Sequence, residues 1–168
     1  MEEANDHYYE CPREYEESKD GKKQLTLFLA GGITGCVDWQ KEVLAPLLSQ
    51  CPSLRVFNPR RAKWDASDKS LSAQQIKWEH DHLRKASAIL FWFPHETLCP
   101  ISLYELGAWS MKNDRPLFVG CHPEYQRKLD VEIQTGLVRP EIAVRDNLEA
   151  LVQDVVGWYQ GESSSQSK

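Results

Sequence analysis

Two glutamates have sequence settings that suit chemistry, and a set of arginines, glycines and aromatics around them suits a small ligand. Glu105 lies in the run Pro100-Ile101-Ser102-Leu103-Tyr104-Glu105-Leu106-Gly107, three residues after a serine that can cap a helix. With Ser102 as the cap, Glu105 falls in the first helical turn, its carboxylate over the carboxyl ends of the neighbouring strands. The same spacing is that of a capping box, in which a glutamate stabilises the helix and does no chemistry, so both readings stand. Glu79 lies in Trp78-Glu79-His80-Asp81-His82-Leu83. On a helical projection from Ile76, at about 100° per residue, His80 and Leu83 fall within about 40°, Glu79 about 60° to one side and Asp81 about 140° away. Glu79 then flanks a buried stripe and is a candidate for a shifted pKa. Asp81 faces water, and His80 reads as a core histidine rather than a ligand.

Two further segments suit anions and flat rings. Gly31-Gly32-Ile33-Thr34-Gly35 follows an apolar run and feeds a helix that opens near Asp38. Glycines in such a turn permit positive φ and close ligand approach, and the helix amino end favours anions. The segment matches neither dinucleotide-binding nor P-loop spacing, so a plain turn fits equally well. Asn58-Pro59-Arg60-Arg61 follows a second apolar run, with Trp64 close behind. Paired arginines can grip a phosphate or carboxylate and an indole can stack on a flat ring. An ordinary surface loop with locally paired arginines is the alternative. His82, His95 and His122 have no metal-ligand spacing among themselves, so no metal site is expected.

The elements that must position these residues alternate short β-branched or aromatic runs with longer amphipathic stretches, the mark of β-α-β units and a parallel sheet. Five strands are expected at 24–30, 54–57, 87–93, 116–120 and 141–145. Helix starts are marked by Ser72 with Gln75, Ser102 with Glu105, and Asp146 with Glu149. A helix over 38–50 should kink or break at Pro46, one over 123–135 should end at Gly136, and one over 147–160 carries a core stripe. The expected fold is an α/β, flavodoxin-like three-layer sandwich with a five-stranded parallel sheet of order 2-1-3-4-5. Ligands in such sheets bind at the carboxyl ends of the strands, where the strand order reverses. Residues 1–23 read as a flexible acidic tail, 24–160 as the domain and 161–168 as a second flexible tail.

Composition limits the partners. The chain has 168 residues, with 20 basic and 25 acidic side chains and a net charge of −5. That balance offers no broad basic field for a nucleic-acid polymer. The longest apolar runs fall well short of the roughly 20 residues that span a bilayer. The amino end lacks the apolar core of a secretory signal, so a cytoplasmic protein is expected. Cys11, Cys36, Cys51, Cys99 and Cys121 are odd in number and widely spaced, and read as reduced thiols.

The segments LFLAGGITGCVDWQ, VFNPRRAKW, QIKWEHDHLRKASAILFWF and CPISLYELG, in that order, resemble the nucleoside 2-deoxyribosyltransferase family in its shorter, divergent branch. The motifs cover roughly residues 25–120. The resemblance implies an enzyme that cleaves the N-glycosidic bond of a (deoxy)nucleoside or nucleoside 5′-monophosphate and transfers the pentosyl group to another base or to water. It implies Glu105 as nucleophile and Glu79 as the assisting acid, without a cofactor. The substrate site it implies comprises Gly31, Gly32, Ile33, Thr34, Asp38, Trp39, Asn58, Arg60, Arg61, Trp64, Cys99 and Ser102, with Trp39 or Trp64 sandwiching the base. It also implies a homodimer or larger homo-oligomer, for which Trp78 and Trp109 are candidate interface aromatics. Two positions depart from the family pattern: Glu79 stands where Asp is common, and Cys99 where Ser or Asp is frequent. Those departures favour the other expectation, a non-catalytic nucleotide-binding or sensing module on the same fold.

Overall fold

The computed structural model describes residues 6–18, 24–62 and 67–165. Its elements in chain order are β1 (Tyr8–Glu10), β2 (Thr26–Gly31), α1 (Trp39–Gln50), β3 (Arg55–Asn58), α2 (Lys69–Lys85), β4 (Ala88–Phe93), α3 (Pro100–Ser110), β5 (Leu117–Cys121), α4 (Lys128–Val138) and α5 (Leu148–Ser165). The five strands form one all-parallel sheet of order β1-β3-β2-β4-β5. Period-two alternation builds both faces. Leu27 and Leu29 point to the layer of α1 and α5, where Trp39, Val43, Leu47, Leu151 and Val155 pack. Phe28 and Ala30 point to the layer of α2, α3 and α4, against Trp78, Leu106, Trp109 and Val131. Both faces of the sheet are thus covered, which is why the central strands β2 and β4 are apolar nearly throughout. The result is the expected flavodoxin-like three-layer α/β sandwich.

The sheet differs from expectation at its two edges. The four strands from β2 to β5 keep the expected relative order, but the fifth member comes from the amino end rather than from 141–145. Tyr8–Glu10 pairs in parallel with Val56–Asn58, and Cys11 and Tyr15 are core residues at 3% and 5% exposure. Residues 8–15 are therefore part of the fold, not a flexible tail. Segment 141–145 touches β5 at one bridge, Gly120 to Arg145, because Arg139, Glu141 and Ile142 form a turn before it. At the other end of the chain α5 runs on to Ser165, past the expected boundary at 160.

The helices differ at their starts and in one face. Asp68 caps α2 by accepting from the amides of Ser70 and Leu71, a turn before Ser72. Asn147, not Asp146, accepts from the Ala150 amide at the start of α5. Gly136 lies inside α4. α1 continues through Pro46, since the carbonyl left without a donor belongs to exposed Glu42 while Val43 and Leu47 stay packed on the sheet. The buried stripe of α2 starts at Gln75 and runs through Trp78, Glu79, His82 and Leu83, so His82 is buried and His80 is exposed. Trp78 and Trp109 lie in the core of the single chain at 2% and 7% exposure, not at its surface.

Candidate active site

The site lies where the chain order reverses. From β2 the chain passes through α1 to β3 on one side, then through α2 to β4 on the other, leaving a crevice at the carboxyl ends of β2 and β4. A cavity of about 320 Å³ opens beside it, at the carboxyl ends of β2 and β3, lined by Ile33, Thr34, Pro59, Arg60, Arg61 and Gln75 of α2.

The glycine turn is built for packing. A Cβ on Gly31, at φ +154°, would stand 2.2 Å from the Trp92 carbonyl oxygen and 2.7 Å from the Trp39 ring. One on Gly32 would stand 2.6 Å from Pro94 and 3.0 Å from the Cys99 sulfur. These glycines let the turn lie on β4 and α1. Trp39 is fully buried and its Nε1–H donates to the Gly32 carbonyl at 2.9 Å. It braces the turn from inside and cannot sandwich a base, which corrects that expectation. Gln40, also fully buried, donates to the same carbonyl at 3.2 Å. Arg60 Nε donates to Gln40 Oε1 at 3.0 Å, and Nη2 to the Val37 carbonyl at 3.0 Å. Asp38 caps α1 through the Lys41 amide and lies 3.4 Å from Arg60 Nε. The Arg60 guanidinium thus ties β3's loop to the glycine turn while the residue forms part of the cavity wall.

Arg61 serves the carboxylates. Its Nε donates to Gln75 Oε1 at 2.7 Å and its Nη2 to Gln74 Oε1 at 2.9 Å. Gln75 Nε2 donates to the Pro59 carbonyl and to Glu79 Oε1, both at 2.7 Å. Both amide hydrogens and one amide lone pair of Gln75 are engaged, so its orientation is fixed. Sequence reasoning missed Gln75 as a site residue, although its place four residues before Glu79 puts the two on one helical face.

Glu105 is not a cap. The helix cap of α3 is Cys99, at φ 50° and ψ 53°, followed by Pro100 at the first helical position. That start lies three residues before Ser102, which is 5% exposed and inside the helix. Glu105 therefore sits in the second turn, where no orphan amide needs its carboxylate. Among the described residues no hydrogen-bond donor reaches it. Burial, and then the charge of Glu79, push its pKa from 4.5 up to about 8. Burial also raises the pKa of Glu79, against the opposing pull of the Gln75 hydrogen bond and the Arg61 charge.

The crevice therefore brings together Ile33, Thr34, Arg60, Arg61 and, through Gln75, Glu79, whose charge acts on Glu105. Gly31, Gly32, Asp38, Trp39 and Asn58 support it from behind. The Cys99 thiol donates to the Thr97 carbonyl at 3.4 Å and burial pushes its pKa up to about 12, so it is an inert packing group. Trp64 lies outside the described residues. No group of three His, Cys, Asp or Glu among the described residues is arranged to hold a metal. No described helix is long and apolar enough to cross a membrane.

Comparison with known protein families matches residues 24–125 to the model described as nucleoside 2-deoxyribosyltransferase like. The chain belongs to this nucleoside 2-deoxyribosyltransferase-like family. The match spans β2 to β5 and contains the glycine turn, Arg61, Gln75, Glu79 and Glu105. Family membership agrees with the resemblance read from the four motifs. No curated protein matches the chain. The family span begins at residue 24, after β1.

Proposed function

We propose that this family member cleaves the N-glycosidic bond of a (deoxy)nucleoside or nucleoside 5′-monophosphate, with Glu105 as the nucleophile, and passes the pentosyl group to a second base or to water. The observation that carries the reading is a pair of half-buried carboxyls, Glu79 held by Gln75 and Glu105 with no hydrogen-bond donor among the described residues. A carboxylate with no donor to satisfy is free to bond to carbon. One that is hydrogen-bonded is positioned to move a proton.

In the first step a Glu105 carboxylate oxygen bonds to C1′ as the C1′–N bond breaks, and the bonding pair leaves with the base. The leaving nitrogen takes a proton from Glu79. In the second step an acceptor base nitrogen or a water oxygen attacks C1′, Glu105 leaves as carboxylate and Glu79 takes the acceptor's proton. Burial and the charge of Glu79 raise the Glu105 pKa to about 8, so Glu105 holds a proton at neutral pH. In the empty site Gln75 and Arg61 favour the ionised form of Glu79, so the proton rests on Glu105. Positive charge developing at C1′ favours ionised Glu105, and the proton moves to Glu79. Base release should therefore fall on the alkaline side as pH passes about 8, where the Glu105 proton is lost and none is left to pass to Glu79. A pH profile of kcat/KM checks this.

Arg61 and Thr34 line a cavity of nucleoside size, and the Arg61 charge favours a 5′-phosphorylated donor over an unphosphorylated one. α3, which carries Glu105, forms with α4 a second groove of about 490 Å³ that includes Leu103, Tyr104, Met111 and Val131. Tyr104 and Met111 are 77% and 73% exposed. That apolar face supports a homodimer through α3 and α4, expected in sedimentation as twice 19.4 kDa. A sedimenting monomer at micromolar concentration would remove the dimer.

The test of the reaction is chromatography of a panel of ribo- and deoxyribonucleosides and their 5′-monophosphates, each with and without a second free base. Release of base is expected, and a new nucleoside appearing only with added base assigns transfer. Binding of a donor without release of base from any member of the panel would leave a non-catalytic nucleotide-binding module.

A further inference from the structure

The amino-terminal segment lies before the family-matched span, yet its polar side chains end at the cavity's loop. We propose that Tyr8 and Glu10 are positioning residues, which fix the Asn58–Ala62 loop and with it the arginine that orients Gln75.

The contacts are specific and successive. The Asn58 side-chain amide donates to Tyr8 Oη at 2.7 Å, and Tyr8 Oη donates to Glu10 Oε2 at 3.0 Å. The other carboxylate oxygen, Glu10 Oε1, accepts from the Ala62 amide at 2.9 Å. Asn58 Oδ1 accepts from the Arg60 amide at 2.9 Å, and the Asn58 carbonyl accepts from the Cys11 amide at 3.0 Å. Both ends of the loop that carries Arg60 and Arg61 are therefore tied to β1. The Cys11 thiol, next in the chain, lies within hydrogen-bonding reach of Arg61.

The segment is anchored at its far end to the helix that carries Glu79. Trp78 Nε1–H donates to the Arg13 carbonyl at 2.9 Å. His82 Nε2 accepts from the Tyr15 amide at 3.3 Å, while its Nδ1–H donates to the Trp78 carbonyl at 2.8 Å. Lys85 donates to the Tyr15 carbonyl at 3.3 Å. Residues 8–15 thus form a strap from β3's loop to α2, the two elements whose side chains meet as Arg61, Gln75 and Glu79. The Ala62 and Arg60 amides belong to a loop that the Arg60 and Arg61 side chains already hold to α1 and α2, so these further bonds set position more than stability. Arg61 lines the cavity, so loosening its loop weakens the hold on a donor.

This inference rests on the glycosidic reading for its kinetic half only. The experiment compares the parent with Glu10→Ala, Glu10→Gln and Tyr8→Phe by amide hydrogen exchange, by melting, and by kinetics on the best donor of the panel. In Glu10→Ala the Ala62 amide should exchange at least about tenfold faster. KM should rise about tenfold with kcat changed less than about threefold, because Arg61 binding is lost before the chemistry is. Glu10→Gln, which keeps an acceptor for Ala62, should recover most of both, and Tyr8→Phe should release the Arg60 amide as well. Melting temperatures should stay within about 3 °C of the parent. Unchanged exchange at Ala62 in Glu10→Ala would overturn the proposal whether or not any donor turns over. Faster exchange with unchanged KM would also overturn it. A parent that releases no base would instead defeat the glycosidic reading, and the exchange rates would still decide the strap.

Discussion

Glu105→Gln should abolish detectable base release, a loss of about 10³-fold or more, while making the folded chain more stable at alkaline pH. The first half follows from the role of the side chain: an amide neither bonds to C1′ nor leaves as an anion. The second half follows from the environment. Glu105 has a folded-state pKa near 8 against an unfolded 4.5, so the native state holds a proton that the unfolded state gives up. The favourable contribution of the neutral side chain is fully present below about pH 4.5 and is lost as pH rises through about 8. The glutamine variant keeps the neutral side chain at every pH. At pH 9 it should exceed the parent by on the order of 3 kcal/mol, with near parity at pH 4. Denaturant unfolding at the two pH values checks it. Equal stability at pH 9 would mean that Glu105 is solvated and carries no raised pKa.

Gly31→Ala should be the most damaging small substitution in the crevice. The added carbon would meet a backbone carbonyl of β4 at 2.2 Å and the Trp39 ring at 2.7 Å. Neither neighbour can give way. Trp92 is paired with Gly31 in the sheet, and Trp39 is wholly buried with its indole N–H bonded to the Gly32 carbonyl. The expected cost is about 3 kcal/mol or more, which in a chain of this length lowers Tm by about 10 °C. Gly35 makes the comparison: it has a positive φ of 76° but open space where a Cβ would stand. Gly35→Ala should cost only about 1 kcal/mol, from the left-handed backbone alone. Equal melting temperatures for the two variants would show that close packing is not what Gly31 is for.

The parts of the fold legible in the sequence were those with strong local signals. LTLFLA and SAILFWF are buried on both faces and alternate between the two core layers, and nothing but a central parallel strand fits them. The amino-terminal strand was hidden because Tyr8–Glu10 is three residues long in an acid-rich segment, and only its pairing with β3 makes it a strand. The carboxylates were legible as residue types, but their setting was not. Reading α2 from Ile76 rotated its stripe by one residue, because the stripe begins at a polar side chain, Gln75, that is held by Arg61 and Pro59. The capping alternative for Glu105 fell for a similar reason. Cys99 in a left-handed conformation followed by Pro100 starts α3 three residues early, which no residue-type preference for caps suggests. Trp39 looked available for stacking because its sequence neighbours are a glycine turn and an acid, and only tertiary packing closes it off.

The account turns on a covalent pentosyl ester of Glu105, and the configuration at C1′ of the product tests it most directly. The measurement is proton NMR of the pentoside formed from a β-nucleoside donor with methanol as acceptor, before any isomerisation. Two displacements at the same carbon predict the methyl β-pentoside, with configuration retained. The α-pentoside would mean a single displacement, with Glu105 acting only as a base, and would contradict the account.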